Sequence, residues 1–354
     1  MKSPKLRDPA RKSLWASRAG TITPRAINLS QEELVSKEHL TPGQSLPLVI
    51  KPLVNGLKLQ TWAANNRELI ESSCSECGAV LFRGFGIHTA SEFDEVIGAI
   101  SGSTMEYRER SSPRSQVSGN IYTSTDYPAD QSIFPHNEHS YSLVFPLKLY
   151  FCCLVPAETG GETPLADTRK IFRRISPGTR EKFIERKWMY VRNFGDGFGL
   201  RWQVTFQTED KAAVETYCRD LGIESEWREG DRLRTRQVRP AVVRHPGTGE
   251  TAWFNHATFF HISTLEPGIR EALLKEFKTG DLANNTYYGD GSEIEPLALD
   301  ELREAYLKEC VMFRWEKGDV LVLDNVLTAH ARRPFTGQRK VVFGMAEPHR
   351  RTDV

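Results

Sequence analysis

The chain is 354 residues long, 26% charged and 39% hydrophobic, with a formal net charge of +1. These values are ordinary for a soluble globular protein, and so small a net charge supplies no bulk field for nucleic acid or an anionic membrane. No apolar run approaches the roughly 18 residues of a bilayer-spanning helix and no signal-peptide core opens the sequence, so a cytoplasmic protein with no membrane or nucleic-acid partner is expected.

Residues 1–40 read as a basic N-terminal arm: over its first 30 residues Lys2, Lys5, Arg7, Arg11, Lys12, Arg18 and Arg25 face a single acid, Asp8. Such an arm is more often a solvated tail or a clamp across a neighbouring copy in a homo-oligomer than an organelle signal. Residues 41–354 are expected to form one domain, because one large β-architecture with helical elaborations absorbs that length without a second core. Thr41-Pro42-Gly43-Gln44 punctuates its start, and the apolar stretch 46–54 follows. A helix is predicted over 60–76, stopped by Gly78. Its apolar face takes Trp62, Leu69, Ile70, Cys74 and Cys77, which makes the two thiols buried and inert rather than half of a metal site. The six cysteines form no disulfide framework, which fits a reducing compartment.

Ala79–Phe82 reads as a buried strand, Gly84-Phe85-Gly86 as a turn, and Ser91 with Asp94 as the cap of a helix presenting Phe93, Val96, Ile97 and Ile100. Strands are expected at 148–154, 189–192 and 238–244, the last joined to 251–254 as a hairpin through His245-Pro246-Gly247-Thr248-Gly249. Helices are expected over 210–221, from Glu266-Pro267 to Gly280, and over 298–309. A second hairpin joins 311–315 to 320–323 through the turn 316–319. Many short strands with inserted helices indicate a mainly β fold with helices, a double-stranded β-helix (jelly roll) core with helical insertions.

The chemistry is carried by Pro135-His136-Asn137-Glu138-His139 and, far downstream, by His330 in Thr328-Ala329-His330-Ala331-Arg332. On an extended strand side chains two apart share a face, so His136 and Glu138 can present an imidazole and a carboxylate to one ion. Two imidazoles and one carboxylate leave three positions of an octahedral ion open, which suits non-haem Fe(II). The tripeptide alone occurs by chance, and a half-buried histidine bonded to a neighbour is its commoner state. Two further positions strengthen it. Arg339, nine residues after His330, opens a run rich in β-branched residues and offers a clamp for a carboxylate, and Thr163, twenty-seven residues after His136, offers a hydroxyl to the same group.

Taken in order, Gly78-Ala79-Val80-Leu81-Phe82-Arg83-Gly84-Phe85, the His-Asn-Glu run, Gly160-Gly161-Glu162-Thr163-Pro164, Trp253-Phe254-Asn255, Tyr288-Gly289-Asp290-Gly291 and Lys317-Gly318-Asp319-Val320-Leu321 resemble the Fe(II)- and 2-oxoglutarate-dependent dioxygenases of the taurine/2,4-D dioxygenase (TauD/TfdA) superfamily, in the branch with His-x-Glu. The likeness runs from about residue 22 to the C-terminus. It implies that His136, Glu138 and His330 bind Fe(II), that Thr163 and Arg339 hold the distal carboxylate of 2-oxoglutarate, and that O2 is the second cosubstrate. It also implies the jelly roll, and places Trp253 and Asn255 near the substrate. Arg332 is a further candidate for a substrate or 2-oxoglutarate carboxylate, with a structural ion pair as its alternative. The sulfonate-oxidising members carry an arginine where this chain has Met345, so taurine is an unexpected substrate. Retention of Glu138 sets the chain apart from halogenating relatives. The resemblance implies hydroxylation or a related oxidation of an unactivated C–H bond in a small molecule, an amino acid or an aminoacyl intermediate delivered on a carrier protein in specialised metabolism. The alternatives are a jelly-roll metalloprotein acting as a hydrolase or isomerase, and a noncatalytic binding module. His139, Asp167 and Asp324 read as structural, and His256 and His261 as part of an aromatic segment lining a cavity or filling core.

Overall fold

The computed structural model describes residues 34–109, 111, 114–124, 127–195 and 199–352. Its frame is a double-stranded β-helix. An eight-stranded sheet runs in the order Val35–His39, Leu48–Pro52, Ala79–Phe82, Val320–Asp324, Val144–Val155, Lys340–Arg350, Ile121–Thr123 and Gln116–Ser118. A four-stranded sheet runs Cys310–Val311, Leu165–Asp167, Thr328–Arg332 and Ile133–His136.

Why the large sheet reads as nearly unbroken apolar sequence follows from what covers it. Leu81, Leu149, Phe151, Leu321, Leu323, Val341, Phe343 and Met345 meet Leu165 of the small sheet in one buried cluster. The alternate residues Val80, Phe82, Tyr150, Cys152, Val320, Val322 and Val342 pack under the helices Leu59–Asn65, Arg67–Cys77 and Ala90–Ser101. Side chains alternate across a strand, and a sheet covered on both faces needs apolar residues at every position. Behind the small sheet, Ala166 and Ala329 pack against the helices Thr168–Arg174, Pro177–Arg186 and Pro296–Glu309 and against a further sheet containing Trp188–Phe194 and Asn284–Tyr288.

Several expectations change in detail. The helix over 60–76 is two helices broken at Asn66, whose φ of −130° and ψ of 29° leave the helical region while its side chain bonds the Trp62 carbonyl. It ends at Gly78, as expected, in the left-handed conformation with φ of 83°. Cys74 and Cys77 are buried and free, and burial pushes the Cys74 thiol up to about 12, which keeps it protonated and inert. The cap of the next helix is Thr89, with Glu92 rather than Asp94 reaching back to it in a capping box. The strand expected at 238–244 splits at Pro240, which has no N–H to continue a ladder: Arg232–Arg239 joins the further sheet, and Val242–Arg244 pairs with Thr251–Trp253 as the anticipated hairpin. The Asp210-capped helix stands at Lys211–Asp220, and the helix Pro267–Glu276 closes at Phe277, before Gly280.

The second hairpin does not form. Cys310–Val311 pairs with Leu165–Asp167 in the small sheet, whereas Val320–Asp324 lies between Ala79–Phe82 and Val144–Val155 in the large one. The intervening chain crosses between sheets, with Phe313 and Trp315 buried in the inter-sheet core. Residues 1–33 of the basic arm lie outside the described residues. The remainder belongs to the domain, because Val35–His39 pairs antiparallel with Leu48–Pro52. Among the described residues no helix is long and apolar enough to cross a membrane.

Candidate metal centre

Ile133–His136 and Thr328–Arg332 are neighbouring antiparallel strands of the small sheet, and His136 stands directly opposite His330. Their ring centroids are 4.4 Å apart. Register thus joins two histidines that the sequence separates. Glu138 arrives differently from the expected strand alternation, because the strand ends at His136 and Glu138 lies in the turn that follows. His139 has φ of 57°, the left-handed region, and its carbonyl accepts from the Ser142 amide at 2.9 Å. This turn folds the carboxylate back over the strand end, so that one ligand atom from each of His136, Glu138 and His330 lies within 4.8 Å of the others.

Asn325, which the sequence reading did not single out, locks that turn. Its side-chain amide donates to the Glu138 and Pro146 carbonyls, each at 2.8 Å, and its side-chain oxygen accepts from the Glu138 amide at 2.8 Å. The Asn325 carbonyl in turn accepts from the Asn137 side chain at 2.6 Å. One fully buried residue therefore holds the backbone of Glu138 on both sides. Asp324 next to it accepts from the Val326 and Leu327 amides, each at 3.0 Å, and faces His245 at 3.0 Å and Lys148 at 3.3 Å. This is the loop-ordering role expected of it, and Asp167 likewise caps Thr168–Arg174 while pairing with Arg169.

The donor set fits a metal ion in its protonation. Burial lowers the pKa of His136 and takes His330 well below the ordinary imidazole value, so both rings stay neutral. Burial alone pushes the Glu138 carboxyl up, but the Arg114 guanidinium hydrogen-bonded to it outweighs burial and keeps the carboxylate ionised. Neutral imidazoles and an ionised carboxylate are the forms that bind metal. His136 Nδ1 is bonded to the Phe134 carbonyl at 2.9 Å, which fixes the ring, while His330 Nδ1 is buried without a hydrogen-bond partner. An orphaned imidazole nitrogen beside a second imidazole and a carboxylate is a site built for a cation. Phe259 and Phe151 pack at 4.5 and 5.1 Å from the two histidine rings and make the surroundings apolar.

The cavity in front of His136 and His330 is also lined by Arg114, Thr163, Arg332 and Arg339. Thr163 accepts from the Trp315 indole at 3.0 Å, which leaves its own hydroxyl proton to donate. Arg339 donates from Nε to the Gly161 carbonyl at 3.1 Å and from Nη1 to Ser124 at 3.2 Å. The approach depends on glycine: a Cβ on Gly161 would stand 3.0 Å from Arg339 Cδ, and one on Gly160 would stand 2.1 Å from the Pro334 carbonyl oxygen. Burial and the neighbouring Arg332 pull Arg339 down to about 10, the mark of a cation in a dry cavity without a matched anion.

Other candidates fall elsewhere. Trp253 is fully buried, edge-on to Phe183 in the core behind the small sheet, and the Asn255 amide is taken up by the Ala241 carbonyl and the Ala257 amide. Neither is among the residues lining the cavity in front of His136 and His330. Arg332 does line it; its Nη1 and Nη2 donate to the Tyr127, Pro128 and Gln131 carbonyls, and its Nε has no partner. His139 is buried against Tyr107 and Tyr141, and His256 against Phe260. Arg114, Asn325 and Trp315 were missed. Only Asn325 carried a local signal, its place beside Asp324 in the turn leading to His330.

The model of the "Taurine catabolism dioxygenase TauD, TfdA family" matches residues 40–346. The dapdiamide synthesis protein DdaC of Enterobacter agglomerans is 38% identical over 310 residues, covering 84% of this chain and 94% of that one. A clavaminate synthase-like protein of Arabidopsis thaliana is 29% identical over 316 residues, covering 86% and 89%. Among solved structures, PvcB of Pseudomonas aeruginosa superposes with a TM-score of 0.54 at 15% identity over 94% of this chain and 100% of its own, and this likeness supports the fold. The chain belongs to the taurine catabolism dioxygenase TauD, TfdA family and is a non-haem dioxygenase that uses Fe(II), 2-oxoglutarate and O2.

Proposed function

We propose that His136, Glu138 and His330 are the Fe(II) ligands, that Arg339 and Thr163 grip the distal carboxylate of 2-oxoglutarate, and that the enzyme oxidises an amino acid or an aminoacyl, carrier-bound intermediate of specialised metabolism. The observation that carries the reading is the convergence of two neutral imidazoles and one ionised carboxylate within 4.8 Å, opening on a cavity with an unmatched arginine. Iron in this site supplies O2 activation coupled to conversion of 2-oxoglutarate into succinate and CO2. The chain's own contribution is geometry. The opposed strands set the imidazoles, the Asn325 clamp sets the carboxylate, and Arg339 with Thr163 orients the keto-diacid by charge-assisted hydrogen bonds. Phe151 and Phe259 exclude water from the reacting face.

The substrate class rests on relatives. DdaC is described as a dapdiamide synthesis protein, and PvcB as an Fe, alpha-ketoglutarate dependent oxygenase from an isonitrile synthetic pathway. Met345, where the sulfonate-oxidising members have arginine, is fully buried in the inter-sheet core and offers no cation to a sulfonate. The test is an anaerobic titration with Fe(II) and 2-oxoglutarate. Formation of the chelate gives a weak visible charge-transfer band, and exposure to air with free and carrier-bound amino acids gives succinate. A flat spectrum without succinate rejects the reading.

A further inference from the structure

Arg114 lines the cavity and has no part in either the metal or the 2-oxoglutarate assignment. Its side chain and that of Glu138 are each only 3% exposed, and its Nη2 donates to Glu138 Oε2 at 2.7 Å. The guanidinium carbon lies over the Phe343 ring, 4.0 Å from its centroid, with the Tyr107 centroid at 5.2 Å. A buried cation in aromatic surroundings, aimed at a single oxygen of a ligand carboxylate, has one evident task. We propose that Arg114 is the positioning residue of Glu138: it occupies Oε2, so that only Oε1 is presented to the metal.

The two carboxylate oxygens are not equivalent. Oε2 is within a charge-assisted hydrogen bond of Arg114, whereas the His139 ring stands with its Nε2 3.9 Å from Oε1, outside hydrogen-bond distance. Oε1 is therefore the free donor. The consequence concerns coordination number. An octahedral ion held by two imidazoles and one carboxylate oxygen has three open positions, enough for a two-point 2-oxoglutarate chelate and O2. A carboxylate free to bind through both oxygens removes one of them. The Asn325 clamp holds the Glu138 backbone and does not select between its oxygens, so that choice falls to the side-chain partner. Arginine suits the position, because its delocalised cation is weakly hydrated, stacks on Phe343 and carries directed N–H donors, whereas a lysine ammonium is a strongly hydrated point charge.

This inference rests on the metal-centre assignment, and the test separates the two. Metal-free wild type, His136→Ala, Arg114→Met and Arg114→Lys are titrated with Co(II), whose visible absorption reports both affinity and coordination number, with near-ultraviolet circular dichroism as the check on folding. The expected result is loss of the Co(II) spectrum in His136→Ala, an affinity about 10–100-fold weaker in Arg114→Met together with an altered band intensity, and partial recovery in Arg114→Lys. Equal binding by wild type and His136→Ala removes the centre itself. Loss in His136→Ala with wild-type affinity and an unchanged spectrum in Arg114→Met overturns the role of Arg114 and leaves the centre standing. If Arg114→Met does not fold, Arg114→Lys decides: an affinity and spectrum equal to wild type overturn the proposal, and a weaker, altered complex supports it.

Discussion

The inter-sheet core and the mouth of the barrel are about equally buried and are built to opposite ends. In the core, Leu149, Leu321, Leu323, Phe343 and Met345 have no polar side-chain atom to satisfy and are wholly excluded from solvent. At the mouth, buried polar atoms are left without partners: His330 Nδ1, Arg114 Nε, His139 Nε2 and Arg332 Nε. Orphaned buried groups cost stability, and a fold retains them where a ligand completes them. The core thus supplies folding free energy, and the mouth carries unmet polar atoms that offset part of it.

Single substitutions on each side break or sharpen that contrast. His330→Ala abolishes metal binding and succinate formation while leaving the metal-free protein as stable as before or slightly more so, because it removes a buried group with an unmet hydrogen bond. Metal titration and urea unfolding of the apo protein measure both, and marked apo destabilisation contradicts the division of labour. Leu321→Ala behaves in reverse. Deleting a fully buried side chain from a core strand costs about 2–5 kcal/mol in unfolding free energy, with metal affinity unchanged at temperatures where the protein remains folded.

Asn325→Ala tests the one element that serves both regions. It strips hydrogen bonds from the Glu138 amide and from the Glu138 and Pro146 carbonyls, and each buried group left unpaired costs roughly 1–3 kcal/mol. Stability and metal affinity fall together, and a variant that loses only one of them separates the clamp from the turn it holds. Arg339→Met is narrower: 2-oxoglutarate binds about 10–100-fold more weakly, the worth of one or two charge-assisted hydrogen bonds, with metal affinity retained. A 2-oxoglutarate titration of the metal-loaded variant reads it, and unaltered affinity moves the clamp to another residue.

Much of this was legible before the structure because it depends on period and composition. The nearly unbroken apolar run at 148–154 and the stop at Gly78 follow from composition, and the candidate triad with Thr163 and Arg339 comes from donor chemistry and the family resemblance. The errors have a common physical origin in non-local pairing. The expected hairpin at 311–323 is locally plausible, but Val320–Asp324 gains two long-range partners in the large sheet, and the short strand before it joins the small one. His136 and Glu138 do converge, yet a left-handed turn at His139 replaces the two-residue strand repeat as the reason. Arg114 stands twenty-four positions before Glu138 in a stretch with no hydrophobic period, and nothing short of tertiary structure connects the two.

The smallest effect is a pH dependence, and it also divides the two regions. His261, in the aromatic segment behind the mouth, is held down to about 4 by burial and by the Arg303 charge, against 6.5 for the free side chain. Serine and arginine surround it: Nδ1 meets Ser263 at 2.6 Å, and Arg303 donates to the same serine. A histidine whose folded pKa is depressed stays neutral in the native state while the unfolded chain takes up a proton. Its contribution to stability is therefore full above about 6.5 and is lost as pH falls from there towards 4. Urea midpoints of the metal-free protein should fall across that window, and His261→Asn, which cannot be protonated, should show a shallower decline than wild type. His136 and His330, also lowered, add to the wild-type slope. Metal loading holds both rings deprotonated in the folded state while the unfolded chain still takes up protons, so it should steepen the acid-side decline in His261→Asn, whereas identical slopes with and without metal would mean that the imidazoles at the mouth are not bound to the ion.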